Sequence, residues 1–197
     1  MRKVLIILTI LNLSCAILLN CGFKIETWRV IGDVYTCSAD PTIEDGNSTH
    51  VTAVRGSHLS EFLSNLVEMI NFSTKSNLIT SIPQGINEHF ANFIGFSCVG
   101  CAINSLAQSD LQSYQNLQFF LLTASNLEKV PSGFFASTPK ISYVNLSHNA
   151  ITILGQNFLT NSEFLKEVWL EDNPCFDGSG ETTREILMLI IVAAIQC

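Results

Sequence analysis

Ile141-Ser142-Tyr143-Val144-Asn145-Leu146-Ser147-His148-Asn149-Ala150-Ile151-Thr152-Ile153-Leu154 is the stretch from which the rest of the chain can be read. Apolar residues stand at 141, 144, 146, 151 and 154, and an asparagine stands at 149. Shifting by 24 residues in either direction recovers the pattern without a gap, with repeats starting at Met69, Phe93, Leu117, Ile141 and Leu165. The columns can be tested. The second holds Phe72, Phe96, Phe120, Val144 and Val168, and the third Thr74, Cys98, Leu122, Leu146 and Leu170. Beyond the asparagine position lie Ile79, Ile103, Leu127, Ile151 and Cys175, then Ile82, Leu106, Val130, Leu154 and Gly178. Counting cysteine as apolar, 23 of these 25 cells are apolar, whereas a composition 47 % hydrophobic gives about 12 by chance. Thr74 and Gly178 are the misses.

The asparagine column reads Asn77, Cys101, Ser125, Asn149 and Asn173. A side chain pointing inward there has to hydrogen-bond neighbouring backbone, because a buried polar group without a partner is costly. Each repeat then reads as one short strand and a returning arc, with Phe134 and Phe158 in one column plugging the core from the arc side. A single coil cannot bury its apolar face alone, so neighbours must stack and the ends must be capped. The segment His50–Gly56 reads as a degenerate preceding coil, offset by 28 residues instead of 24.

The flanks supply candidate caps and an address. Met1-Arg2-Lys3, the apolar run from Val4 to Leu19 and small residues at Ser14 and Ala16 form a secretory leader pattern, with cleavage expected after Ala16. An uncleaved signal anchor is the alternative. Six cysteines follow the leader: Cys21, Cys37, Cys98, Cys101, Cys175 and Cys197. An even number in an exported chain points to disulfides. Cys21 and Cys37, with Trp28 and Tyr35 between them, look like a bridged hairpin covering the first coil. Sequons at Asn47, Asn71 and Asn145 agree with export. At the other end Thr182 and Glu185 match a capping box, so a helix is expected there, with an uninterrupted apolar body from Ile186 to Ile195. One reading makes it a helical cap tied by Cys175–Cys197. The other makes it a lipid-anchor signal, with small residues at 178–180, a short spacer and an apolar tail.

With these residues read, the chain resembles the leucine-rich-repeat superfamily over about residues 50 to 178, in the typical 24-residue form found in Toll-like receptor ectodomains. The N-terminal stretch Cys21-Gly22-Phe23, Trp28 and Tyr35-Thr36-Cys37 looks like that of short secreted leucine-rich proteins of arthropods. The resemblance implies an α/β fold: a leucine-rich-repeat solenoid with a parallel concave sheet, an N-terminal β-hairpin cap and a C-terminal helical cap. The expected division is a leader over 1–16, a disulfide cap and degenerate coil over 17–60, repeats over 61–178 and the helical cap over 179–197. It also implies protein ligands, although the fold alone names none.

Strand side chains alternate, so the positions between the inward ones face the open surface. Phe119, Leu121, Tyr143 and Trp169 are expected to form an exposed aromatic and apolar stripe there, flanked by Glu167 and Glu171, with the composition of an interaction hot spot. A glycan on Asn145 would stand between Phe119 and Trp169. Cys98-Val99-Gly100-Cys101 has metal or redox spacing, but both cysteines fall on inward columns, which favours structural thiols or a local disulfide. No nucleophile elbow, phosphate loop or paired-carboxylate site emerges, so neither an enzyme, a cofactor, a metal nor a small-molecule substrate is expected. A net charge of −7 argues against nucleic acid. The reading is a secreted module recognising an extracellular protein, with defence or development as candidate settings. A membrane-anchored adhesion or receptor-like protein and a structural matrix component are the alternatives.

Overall fold

A computed structural model describes residues 16–43, 49–73, 75–159 and 162–197. The leader, apart from Ala16, and the sequon at Asn47 lie outside the described residues, as does Thr74. Eleven strands are named in chain order: β1 (Ile17–Trp28), β2 (Gly32–Ile43), β3 (Val51–Arg55), β4 (Met69–Phe72), β5 (Gly95–Val99), β6 (Phe119–Thr123), β7 (Lys129–Val130), β8 (Tyr143–Asn145), β9 (Ile153–Leu154), β10 (Glu167–Trp169) and β11 (Ser179–Gly180). Two α-helices accompany them, α1 (Ile86–His89) and α2 (Thr183–Gln196). Nine strands form one sheet in the order β11-β10-β8-β6-β5-β4-β2-β1-β3, while β7 and β9 pair separately on the returning arcs. The fold is mixed α/β, with a large and mostly parallel sheet. Among the described residues, only β1–β2 and β10–β11 pair antiparallel.

The 24-residue spacing is visible in the register. Gly95 lies beside Phe119, Phe119 beside Tyr143, and Tyr143 beside Glu167. One step differs. Met69 pairs with Gly95, an offset of 26, so Ile70 lies beside Phe96 and Phe72 beside Cys98. Val67, fully buried, therefore starts the first coil, and Met69 turns to the sheet face opposite the main core. The two extra residues are taken up after β4, where Ser76–Leu78 forms a 3-10 turn. Asn77 lies in that turn and is exposed, so it is not part of the asparagine column. Apolar periodicity cannot report this slip, because Met69 and Phe72 fit either frame.

From Cys101 onward the column is a hydrogen-bond ladder. The Cys101 amide donates to Ser125 Oγ at 3.2 Å. The amides of Ser125 and Leu127 donate to Asn149 Oδ1 at 2.9 and 3.2 Å. Ile151 donates to Asn173 Oδ1 at 3.2 Å. Asn149 Nδ2 in turn donates to the carbonyls of Leu122, Leu146 and Ser147. Just before each rung the chain leaves the strand through a left-handed residue, at Gly100, Ala124, His148 and Asp172, again 24 apart. The core holds a run of rings: Phe96 stacks on Phe120 at 5.5 Å, and Phe120 meets Phe134 and Phe135 edge-on at 5.8 and 5.4 Å. Phe134 and Phe158 both lie buried on the arc side.

The N-terminal end is built differently from the expected stack. β1 and β2 are 12 residues each and form a long hairpin joined by Cys21–Cys37. β2 pairs directly with β4, whereas β3 lies outside β1 as the edge strand. The 50–56 segment is thus not a coil between the hairpin and the strand at 69. Ile17, Leu19, Cys21 and Phe23 alternate inward along β1. In β2, Val34, Tyr35, Thr36 and Cys37 are all buried, which requires cover on both faces.

At the C-terminal end Thr182 Oγ1 accepts from the Glu185 amide while the Glu185 carboxylate accepts from the Thr182 amide, closing the capping box. Ile186, Leu189 and Ala193 pack on the last coil, while Leu187, Met188, Ile191 and Ile195 stay exposed. Among the described residues no helix is long and apolar enough to cross a membrane. Cys175–Cys197 closes a loop of 22 residues around α2. By loop-closure entropy that link contributes about 3 kcal/mol. Replacing both cysteines with alanine is expected to lower Tm by roughly 6–12 °C in calorimetry. An unchanged Tm would mean α2 is held by packing alone.

Candidate binding face

On the face of the sheet away from the main core, two rows of side chains run across the strands. One row is Thr36, Met69, Gly95, Phe119, Tyr143 and Glu167. The next is Ser38, Asn71, Ser97, Leu121, Asn145 and Trp169. The register therefore brings Phe119, Leu121, Tyr143, Glu167 and Trp169 into one patch. Phe119 and Tyr143 stack face to face, 4.4 Å apart and 1° from parallel. A Cβ on Gly95 would overlap the Met69 sulfur, so glycine there is what lets Met69 lie across the sheet beside Phe119.

The stripe is roofed rather than open. Phe119 is 2 % and Tyr143 4 % exposed. Residues 28–31, the tip of the β1–β2 hairpin, fold over them, and Trp28, Val30 and Ile31 pack into a second apolar cluster with Val34, Met69, Phe119 and Tyr143. The Trp28 indole meets Phe119 edge-on at 5.3 Å and its Nε1–H donates to Thr36 Oγ1 at 3.2 Å. Arg29 Nε lies 2.8 Å from Glu167 Oε2, and its Nη2 lies 3.4 Å from Glu181 Oε1. The same guanidinium sits 5.1 Å over the Trp169 ring, within cation–π range. Trp169 Nε1–H donates to Glu167 Oε2 at 3.1 Å, so one carboxylate oxygen serves both partners. The hydrogen bond to Glu167 raises the Arg29 pKa. Burial raises that of Tyr143, partly offset by its hydrogen bond with Asn145.

The expected exposure of Phe119 and Tyr143 is thereby corrected: the cap covers them. Leu121, Glu167 and Trp169 are half-buried at the edge of the roof, and Glu171 is tied to Ser179 Oγ at 2.9 Å. Nothing periodic signals this contact, since Arg29 and Glu167 are far apart in sequence. One clue was present. A cap hairpin whose cysteines are 16 residues apart carries strands far longer than the three to five residues of the repeat strands, so its tip must overhang the sheet.

Beside the roof, Val30, Gln118, Lys140, Ser142, Phe164 and Lys166 line a hollow of about 360 Å3. The sequon residue Asn145 uses both side-chain ends, Nδ2 to the Tyr143 hydroxyl at 3.2 Å and Oδ1 from the Ser147 amide at 2.9 Å. Asn71 lies half-buried on β4. Cys98 and Cys101 are disulfide-bonded to each other. Among the described residues, no group of three or more His, Cys, Asp and Glu is placed to hold a metal ion.

No family model matches the chain. Proteins named NT-3 growth factor receptor from Sus scrofa and Mus musculus are each 34 % identical to it over 105 residues, 53 % of this chain and 11 % of theirs. The chain thus spans about a tenth of the length of these relatives. Among solved structures, a chain from "Structure of the Toll - Spatzle complex, a molecular hub in Drosophila development and innate immunity" superposes with a TM-score of 0.51. It shares 20 % identity, over 66 % of this chain and 17 % of that one, so the likeness is one of fold.

Proposed function

We propose that the chain is a secreted leucine-rich-repeat module that recognises an extracellular protein. The observation that carries this reading is the 24-residue parallel register from Gly95 to Glu167, with its Asn149 and Asn173 ladder. A stretch similar to a growth factor receptor, and a fold shared with part of the Toll - Spatzle complex, support recognition of a protein rather than catalysis. Three disulfides fit an oxidising, extracellular setting. In this reading residues 1–16 are the leader, 17–60 the N-terminal cap, 61–178 the solenoid repeats and 179–197 the C-terminal cap. Glycans on Asn47 or Asn71 fit the same setting. The exposed apolar side of α2 supports a second reading, in which the tail is an anchor signal removed during processing.

Expression of the whole chain in eukaryotic cells, followed by intact mass of the deglycosylated protein, tests both. A species in the medium starting at Ile17, ending at Cys197 and monodisperse in light scattering is the expected result. A membrane-bound species truncated near Ser179 establishes the anchored receptor instead. Progressive self-assembly in the medium establishes the matrix component.

A further inference from the structure

The hairpin tip occupies the sheet in the manner of a ligand. Its contacts with β6, β10 and the turn after β11 run through side chains: Trp28 on Phe119, Arg29 on Glu167 and Trp169, and Arg29 on Glu181. The pairing of β1 with β2 ends at Trp28 and Gly32, so the tip is a short loop carried past the end of its own ladder. Within that loop Val30 has φ 59. A β-branched residue in the left-handed region is strained, because its Cβ crowds the backbone. Among the described residues no backbone hydrogen bond joins residues 29–31 to β6, β8 or β10, and the Arg29 side chain is 54 % exposed, so a competing segment can reach the side-chain contacts that seat the tip.

The seat beneath the tip has a definite chemistry. Two carboxylates and an indole face converge on one guanidinium, and a stacked Phe119–Tyr143 pair takes the edge of an aromatic ring. Glu167 is only 14 % exposed along its side chain, and its Oε2 is already bound by Trp169 Nε1. Removing the tip would leave a half-buried carboxylate without its cation, which is costly until another cation replaces it. We propose that this is a binding site for a protein segment presenting an aromatic residue next to an arginine, which the chain keeps filled with its own Trp28–Arg29 until a partner displaces them. It rests on the extracellular-recognition reading above, and deepens it by naming what the partner brings.

The test uses the chain's own segment as the probe: a backbone-cyclised synthetic peptide spanning Thr27–Gly32, titrated by calorimetry into the full disulfide-bonded protein. The W28S/R29S variant, whose hairpin remains joined by Cys21–Cys37, is expected to bind the peptide at least about tenfold more tightly than the unmodified chain. Adding Glu167→Gln or Trp169→Ala to that variant is expected to abolish the gain. Equal affinity for unmodified and W28S/R29S chains, or no binding to a W28S/R29S chain with intact circular dichroism and melting, overturns the proposal. Should that double variant not fold, R29E keeps Trp28 and the hairpin while placing a carboxylate that repels Glu167 and Glu181, and the same titration applies. These outcomes do not involve processing or localisation, so failure here leaves the secreted-module reading to its own mass measurement.

Discussion

Asn149→Ala is expected to destabilise the chain by about 3–5 kcal/mol, a large fraction of the roughly 5–15 kcal/mol that holds an ordinary domain folded. The Asn149 side chain accepts from the amides of Ser125 and Leu127 and donates to the carbonyls of Leu122, Leu146 and Ser147. Alanine cannot replace any of these bonds, and the side chain is partly shielded from water between the coils. Each buried backbone group left without a partner costs about 1–3 kcal/mol. In thermal melting this corresponds to a fall in Tm on the order of 10 °C. Asn77→Ala supplies the control. The sequence pattern puts both residues in one column, but Asn77 is exposed in the 3-10 turn after β4, and its replacement is expected to stay within about 0.5 kcal/mol of the parent. Equal effects at the two positions would refute the 26-residue register of the first coil.

Phe120→Ala is expected to cost about 3–5 kcal/mol, from lost burial and from the cavity left behind. Phe120 is fully buried and touches Phe96 within the sheet layer and both Phe134 and Phe135 from the returning arc. It therefore joins two neighbouring coils and both sides of the core. Its neighbours are rings held by one another, so the hole cannot close without moving several of them. The urea midpoint should fall while the slope stays constant, because the surface exposed on unfolding is unchanged. A fall in slope would show instead that the coils at either end had come apart from the rest, the way a repeat array loses cooperativity.

Much of this was legible in the amino acids. Inward columns at 24-residue spacing are an energetic requirement of stacking, so Phe96, Phe120, Val144 and Val168 announce themselves. The rungs at Asn149 and Asn173 follow from the cost of burying an amide, and the Thr182–Glu185 box marks the start of α2 from local hydrogen-bonding chemistry alone. The candidate face was legible as a list of residues, since strand alternation puts Phe119, Leu121, Tyr143, Glu167 and Trp169 on one side.

Three features were decided only by the tertiary structure. The first coil slips by two residues, because Met69 finds cover between Gly95 and the hairpin, and apolar residues at 67, 69, 70 and 72 satisfy either frame. The edge position of β3 depends on which strand of the hairpin meets β4, a choice that the apolar pattern of two similarly long strands does not make. The roof over Phe119 and Tyr143 joins residues more than 90 positions apart through an ion pair, a cation–π contact and an indole edge. Periodicity encodes contacts that recur from coil to coil. A single long-range contact made once leaves no repeating trace, so the amino acids alone determined the stack of coils, and the tertiary structure decided that its most aromatic face is closed.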